Sequence, residues 1–293
     1  MLGIKRATVY TATKGIAGAI TAGRRAAPGI HMRSREINAV ILTDAQKWDF
    51  YNRGTVTLPG IVPPALVDAA LRAINASLGS QGLPPDQLPT LRAQTYCPEL
   101  TDTPPITDLL HRSPLWDLAA SAIGAGQVRP VTRGQVALRF PTLDPPREPT
   151  PHIDGIYTPT NGVPEGTIAN FTALIGVFLS DLPRAYMGNF TIWPGTHRLY
   201  EDYFRAHGPQ ALLEGMPPVA LPAMEQVTGR AGDAVLCHYQ LGHGIAGNGS
   251  PHIRYGVFFR LTHADHDAVH WECMTDIWRE WAGLRDIVQV SRR

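Results

Sequence analysis

Near residue 127 the spacing of apolar residues in this chain changes, and that change limits the architectures open to it. Upstream the pattern is helical. Thr43-Asp44-Ala45-Gln46 forms a capping box ahead of Trp48, Phe50 and Tyr51, and Gly54 supplies a stop, which predicts a helix at about 44–52. Thr55 to Leu58 is a short β-like run. Pro63-Pro64 opens a second helix with Leu66, Ala69, Ala70, Ile74 and Leu78 at helical spacing and Gly79 behind it. Residues 80–104 read as loop, and two short helices are expected at 105–112 and 114–123. Downstream the period is 2 or the runs are short and wholly apolar. Val136, Leu138 and Phe140 alternate with Gln135, Ala137 and Arg139; Phe171 to Leu179, Asn189 to Trp193, Ala234 to His238 and Arg254 to Leu261 read as further strands. Trp271, Met274, Ile277, Trp278 and Trp281 fall on one helical stripe, expected to be core packing by a helix at about 268–285 on the outside of the sheet. Helices followed by eight or so short strands point to a mainly β fold, an antiparallel barrel or sandwich with flanking helices.

Composition narrows the function. A net charge of +1 gives no electrostatic case for nucleic acid. No run of 18 apolar residues is present, so no membrane helix is expected. Cys97, Cys237 and Cys273 are odd in number and far apart, which fits neither a disulfide framework nor a zinc pattern and favours a reducing, cytoplasmic setting. The first 35 residues hold Lys5, Arg6, Lys14, Arg24, Arg25, Arg33 and Arg35, with no acid before Glu36. They read as a disordered extension, an organelle-targeting segment, or the product of a start placed ahead of Met32. Residues 1–40 are therefore set apart from one domain over 41–293, with a helical part at about 43–125 and a β core at about 127–262.

Chemistry enters at His152-Ile153-Asp154. On an extended chain residues i and i+2 face one side, about 6–7 Å apart, so this imidazole and carboxylate can reach one metal ion. A facial iron site needs two histidines and one carboxylate, with the opposite face open. The missing histidine has two candidates, His238 and His243; His243, between glycines just past an apolar strand, is preferred. Arg254 follows at the start of the next strand, and a guanidinium buried there calls for a carboxylate, such as one end of a small diacid. A second H-x-D, His263-Ala264-Asp265, with His266, Asp267 and His270 nearby, is not followed by a distal histidine and an arginine at matching spacing and reads as a solvated turn.

The order His152, Asp154, then Gly188-Asn189-Phe190-Thr191-Ile192-Trp193-Pro194-Gly195-Thr196-His197, then Gly232-Asp233, His243 and Arg254 resembles the phytanoyl-CoA dioxygenase family. Phe50-Tyr51-x-x-Gly54 with Leu58-Pro59-Gly60 is similar to its amino-terminal part, so the likeness spans about 43–262. The resemblance implies a double-stranded β-helix (jelly-roll, cupin-like) core. It implies Fe(II) held by His152, Asp154 and His243, with 2-oxoglutarate and O2 as cosubstrates and Arg254 on the distal carboxylate. The implied reaction oxidises an unactivated C–H bond of a small molecule and releases succinate and CO2. Related halogenases carry a small residue where this chain has Asp154, so hydroxylation is expected. By the same likeness Gln135, Arg139 and Phe178 are candidates beside the cosubstrate and Arg260 for an acidic substrate, while Thr196 and His197 fix the loop after their strand. Residues 80–104, 156–170 and 198–225 are the candidate lid. Two other classes stay open: a cupin-like metalloenzyme that does not use 2-oxoglutarate, and a non-catalytic metal-holding protein. The substrate and the oligomeric state are not written in the sequence.

Overall fold

The computed structural model describes residues 41–291, so the basic extension expected over residues 1–40 lies outside the described residues. Helix α1 (Asp44–Arg53) begins where Thr43 and Gln46 cap each other, with Gln46 N donating to the Thr43 hydroxyl at 3.3 Å and Thr43 N to the Gln46 side-chain oxygen at 2.9 Å. It ends at Gly54, whose φ of +76° suits glycine, and a Cβ there would lie 2.6 Å from the His197 ring. β1 (Thr55–Leu58) follows, then α2 (Pro64–Gln81), α3 (Leu88–Ala93), α4 (Pro104–His111) and α5 (Leu115–Ile123). Beyond them come β2 (Gln135–Arg139), β3 (Ala173–Phe178), β4 (Phe190–Ile192), α6 (Thr196–His207) and β5 (Glu225–Gln226). The chain continues with β6 (Ala234–His238), β7 (His243–Ile245), β8 (Arg254–Leu261), α7 (His266–Val269) and α8 (Arg285–Ser291).

Among the described residues the strands form two antiparallel sheets, one ordered β1-β6-β3-β8-β2 and one ordered β5-β4-β7. The larger sheet separates two cores, and alternation along its strands decides which residue enters which. Ala173, Ile175, Val177, Leu236, Val257 and Phe259 face the helices, packing with Phe50, Ile74, Ile106 and Leu115. Leu174, Phe178, Val235, Cys237 and Phe258 face the smaller sheet, packing with Phe190 and Ile192. Both faces of the central strands are thus covered, which is why β3 reads as a continuous apolar run. No helix among the described residues is long and apolar enough to cross a membrane.

Three expectations need correction. The second helix does not stop at Gly79 but runs to Gln81, with nothing near the space a Gly79 side chain would fill, so that glycine costs only its weak helix propensity. The stretch read as loop over 80–104 carries α3, and the stretch after Gly195 is α6, on which His197, Tyr200, Glu201 and Phe204 are buried at helical spacing. The helix expected at about 268–285 is absent as a single element. In its place are α7, short 3₁₀ turns at Glu272–Met274 and Ala282–Leu284, and α8. A straight helix would aim its whole stripe at one core. Here Met274 enters the core between the sheets, while Ile277, Trp278 and Trp281 enter the core under the helices, so the backbone must turn between them.

Candidate metal centre

A backbone pairing builds the site. His152 N donates to His243 O at 2.9 Å and His243 N to His152 O at 3.0 Å. These two residues are therefore directly opposite in an isolated antiparallel bridge, and their side chains share a face, with ring centroids 4.6 Å apart. Asp154, two residues past His152, joins that face. Its Oδ1 lies 3.5 Å from Nε2 of His152 and 3.5 Å from Nε2 of His243. The three donor atoms all fall within 4.8 Å of one another. His243 Nδ1 is 3.0 Å from the Leu241 carbonyl, which can only accept. That contact places the proton on Nδ1 and leaves the Nε2 lone pair facing the centre.

The segment before His243 is held from α6. Thr196 Oγ1 donates to Trp193 O at 2.7 Å and accepts from Gly242 N at 2.8 Å, and Gln240 Nε2 donates to the His197 carbonyl at 3.2 Å. His197 Nε2 meets the Tyr51 carbonyl at 3.0 Å. Thr196 and His197 thus open a helix, fix the loop after β4 and also brace the turn that delivers His243.

Asp154 is held as an anion. Burial would raise its pKa, but the charge of Arg260, with the His152 and His243 rings beside it, overrides that and holds the carboxyl well below the usual carboxylate range. Arg260 donates to Asp154 Oδ2 from Nη2 at 2.6 Å and from Nε at 3.1 Å, and from Nη1 to Gln135 Oε1 at 2.9 Å. With Oδ2 occupied, Oδ1 is the oxygen presented to the centre.

Above the triad is a cavity of about 850 Å³, lined in part by Leu88, Met216, Arg139, Arg254 and Phe258. Arg254 is 4% exposed. It donates from Nε to the Gly188 carbonyl at 2.7 Å and from Nη1 to the Ala137 carbonyl at 3.1 Å. Its guanidinium carbon lies 5.9 Å from the centre of the Phe258 ring. Among the described residues no carboxylate is paired with it. Burial, and then Arg139 directly opposite on β2, push its pKa down to about 9, so it stays charged near neutral pH. Gly188 makes room for this pair: its φ is +77°, and a Cβ there would sit 2.8 Å from Cβ of Arg139 and 3.1 Å from Cβ of Arg254. The donor set suits a facial iron site. The buried, uncompensated arginine in the same cavity suits a carboxylate ligand.

No protein-family model matches the chain. No curated protein matches it either. Solved structures do. The apo form of EctD from S. alaskensis superposes with a TM-score of 0.51 at 18% identity, covering 75% of this chain and 77% of that one. HygX from Streptomyces hygroscopicus, with nickel and 2-oxoglutarate bound, gives 0.50 at 18% identity, covering 76% and 88%. The nickel complex of the non-heme monooxygenase ThoJ gives 0.50 at 17% identity, covering 74% and 77%. The chain therefore shares the fold of these three proteins.

Within this fold the sequence-derived candidates fall as follows. His152, Asp154 and His243 converge, and Gln135, Arg139, Arg254 and Arg260 line the cavity beside them. His238 does not join them: its Nε2 meets the Ile277 carbonyl at 2.9 Å, its Nδ1 accepts from Gln240 N at 3.0 Å, and burial pushes its pKa down to about 4. Two placements differ from expectation. Phe178 lies outside the cavity, its ring against Gly229, because it sits at the far end of β3; Phe258 and Phe190 take the position beside the triad. Arg260 is engaged by Asp154 and Gln135, so its charge is spent within the site and not left for an acidic substrate. Sequence spacing alone could not find that pair, which is separated by 106 residues. In the second H-x-D, His263 Nδ1 accepts from Asp265 N at 3.1 Å. Its neighbour His266, read as solvated, is in fact 3% exposed, with Nδ1 2.9 Å from the Glu280 carboxylate. Glu280 also accepts from Thr172, which is why this histidine is drawn inside. Of the candidate lid segments, parts of all three reach the cavity, through Leu88, Asn161 and Met216.

Proposed function

We propose that residues 41–293 form one Fe(II)- and 2-oxoglutarate-dependent dioxygenase domain, with the jelly-roll core of the phytanoyl-CoA dioxygenase type. On this reading it hydroxylates an unactivated C–H bond of a small molecule. The observation that carries the reading is Arg254, buried and without a carboxylate, in the cavity that opens on His152, Asp154 and His243. Two solved structures of this fold support it: HygX holds nickel and 2-oxoglutarate, and EctD holds 2-oxoglutarate and 5-hydroxyectoine.

His152, Asp154 and His243 would hold the iron, offering two imidazole nitrogens and one carboxylate oxygen from one side and leaving the cavity side free. Iron held there, with 2-oxoglutarate and O2 as cosubstrates, would supply the oxidation of a C–H bond to an alcohol, with succinate and CO2 as the other products. The protein's part is binding, orientation and exclusion of water. Arg254 holds the distal carboxylate of 2-oxoglutarate; two backbone carbonyls fix Nε and Nη1, so its remaining N–H groups are pre-organised for that anion. Phe258 and Phe190 wall the floor and keep water from the ion pair. Arg260 occupies Oδ2 of Asp154 and fixes the oxygen that faces the metal. Asp154 fills the position that a halide ligand would need, which favours hydroxylation.

The test is a panel of candidate small molecules assayed for substrate-dependent succinate. The wild-type protein should release succinate with at least one of them, and His152→Ala should not. Release that survives His152→Ala would sink the reading.

A further inference from the structure

The cavity is lined by four arginines, Arg92, Arg139, Arg254 and Arg260, and by one carboxylate, Asp154. Arg260 is committed to Asp154. Arg254 is the deepest and is fixed to two carbonyls. Arg139 is different. It lies directly opposite Arg254 across the β2–β8 ladder, is only part-exposed, and its guanidinium makes no hydrogen bond or ion pair with any described residue. Arg92 on α3 lies at the exposed side of the cavity, close enough that its charge, after burial, helps push the Arg139 pKa down. It too has no acidic partner among the described residues. The cavity therefore holds a run of positive charge from Arg254 at its floor through Arg139 to Arg92 at its mouth. Iron would add two positive charges and 2-oxoglutarate would remove two, so filling the site as proposed leaves that excess in place.

Like charges gathered in a partly dry cavity repel, and an anion between them relieves the repulsion. The walls nearby are apolar, from Pro85, Leu88, Pro89, Ile156 and Met216. We propose that the primary substrate carries an oxyanionic group, a carboxylate or a phosphate, on an apolar body, and that Arg139 and Arg92 receive that group. This rests on the dioxygenase reading only in assigning Arg254 to 2-oxoglutarate. It makes Arg139 a substrate-binding residue and not part of the cosubstrate site.

The experiment uses the full chain loaded with Fe(II) and 2-oxoglutarate under nitrogen. The probes are hexanoate, hexyl phosphate and the neutral hexanamide, with binding read by calorimetry. A charge-assisted hydrogen-bonded contact corresponds to about ten-fold or more in affinity. At least one anionic probe should therefore bind about ten-fold more tightly than hexanamide. Arg139→Met should abolish that preference, Arg92→Met should reduce it, and Arg139→Lys should keep part of it, with 2-oxoglutarate affinity within about two-fold of wild type in all three. Which anion wins separates a carboxylate from a phosphate substrate. Equal binding of all three probes, or of none, overturns the proposal. So does an Arg139→Met protein that keeps the preference or loses 2-oxoglutarate binding as Arg254→Met does. A wild-type protein that ignores 2-oxoglutarate but still prefers an anion, through Arg139, defeats the dioxygenase reading and leaves the anion site standing.

Discussion

Replacing Arg254 by methionine separates what the residue costs the fold from what it does for a ligand. Burial and Arg139 lower its pKa from the ordinary arginine range to about 9, a penalty on the charged form on the order of 5 kcal/mol. Methionine removes that penalty and keeps the length of the apolar stem beside Phe258. Against this, the Gly188 and Ala137 carbonyls lose their donors, each worth roughly 1–3 kcal/mol when buried without a partner. The two effects nearly cancel. The ligand-free Arg254→Met protein should unfold within about 2 kcal/mol of wild type, even though a wholly buried charged residue has been removed. The liganded state does not cancel. Losing one partner of a buried ion pair costs roughly 3–5 kcal/mol, so 2-oxoglutarate affinity should fall by a hundred-fold or more. Chemical denaturation measures the first and anaerobic calorimetry the second. A variant that is grossly unfolded, or one that binds 2-oxoglutarate like wild type, would refute the reasoning.

Other substitutions test neighbouring steps. Gly188→Ala forces a side chain into the left-handed region and against the Cβ atoms of Arg139 and Arg254; it should cost about 1–3 kcal/mol of stability and weaken 2-oxoglutarate binding, both absent if the loop simply shifts. Arg260→Met frees Oδ2 of Asp154 and should weaken Mn(II) binding about ten-fold, with Arg260→Lys recovering part of it; unchanged metal affinity would remove Arg260 from the site. His238 is buried and neutral, with a pKa lowered by burial to about 4. The unfolded chain binds a proton at its ordinary value near 6.5 while the fold does not, so stability should fall as pH drops from about 6.5 to 4, by roughly 3 kcal/mol from this residue. Urea midpoints measured across that range in wild type and His238→Gln should converge at low pH, and parallel curves would contradict the assignment.

Much of the β core was legible because its side chains alternate between two buried faces, and β6 and β8 have the bounds their apolar runs suggest. The metal triad was legible in part for a local reason, since i,i+2 spacing places His152 and Asp154 on one side of an extended chain. What brings His243 to them is the backbone exchange with His152, which spacing cannot announce. Facing was harder to read than existence. Phe178 and Phe258 both point between the sheets, and only the pairing of Phe178 with Gly256 and of Phe258 with Gln135 shows which one is deep enough to reach the site. Helix α6 was hidden by the turn signal in Pro194-Gly195, although Tyr200 and Phe204 carry its spacing. The carboxy-terminal tryptophans have helical spacing but serve one core while Met274 serves the other, so their periodicity misled. Arg260 looked free because its acid lies 106 residues away.

In the proposed enzyme His152, Asp154 and His243 hold iron beside an Arg254 that binds the far end of 2-oxoglutarate. Adding 2-oxoglutarate to the Fe(II)-loaded protein under nitrogen, and following visible absorption, tests it most directly. Chelation of the iron by the keto acid should produce a metal-to-ligand charge-transfer band that saturates with 2-oxoglutarate, needs a hundred-fold more of it in Arg254→Met, and is absent in Asp154→Ala. A wild-type protein that binds Fe(II) but shows no such band at any 2-oxoglutarate concentration would contradict it.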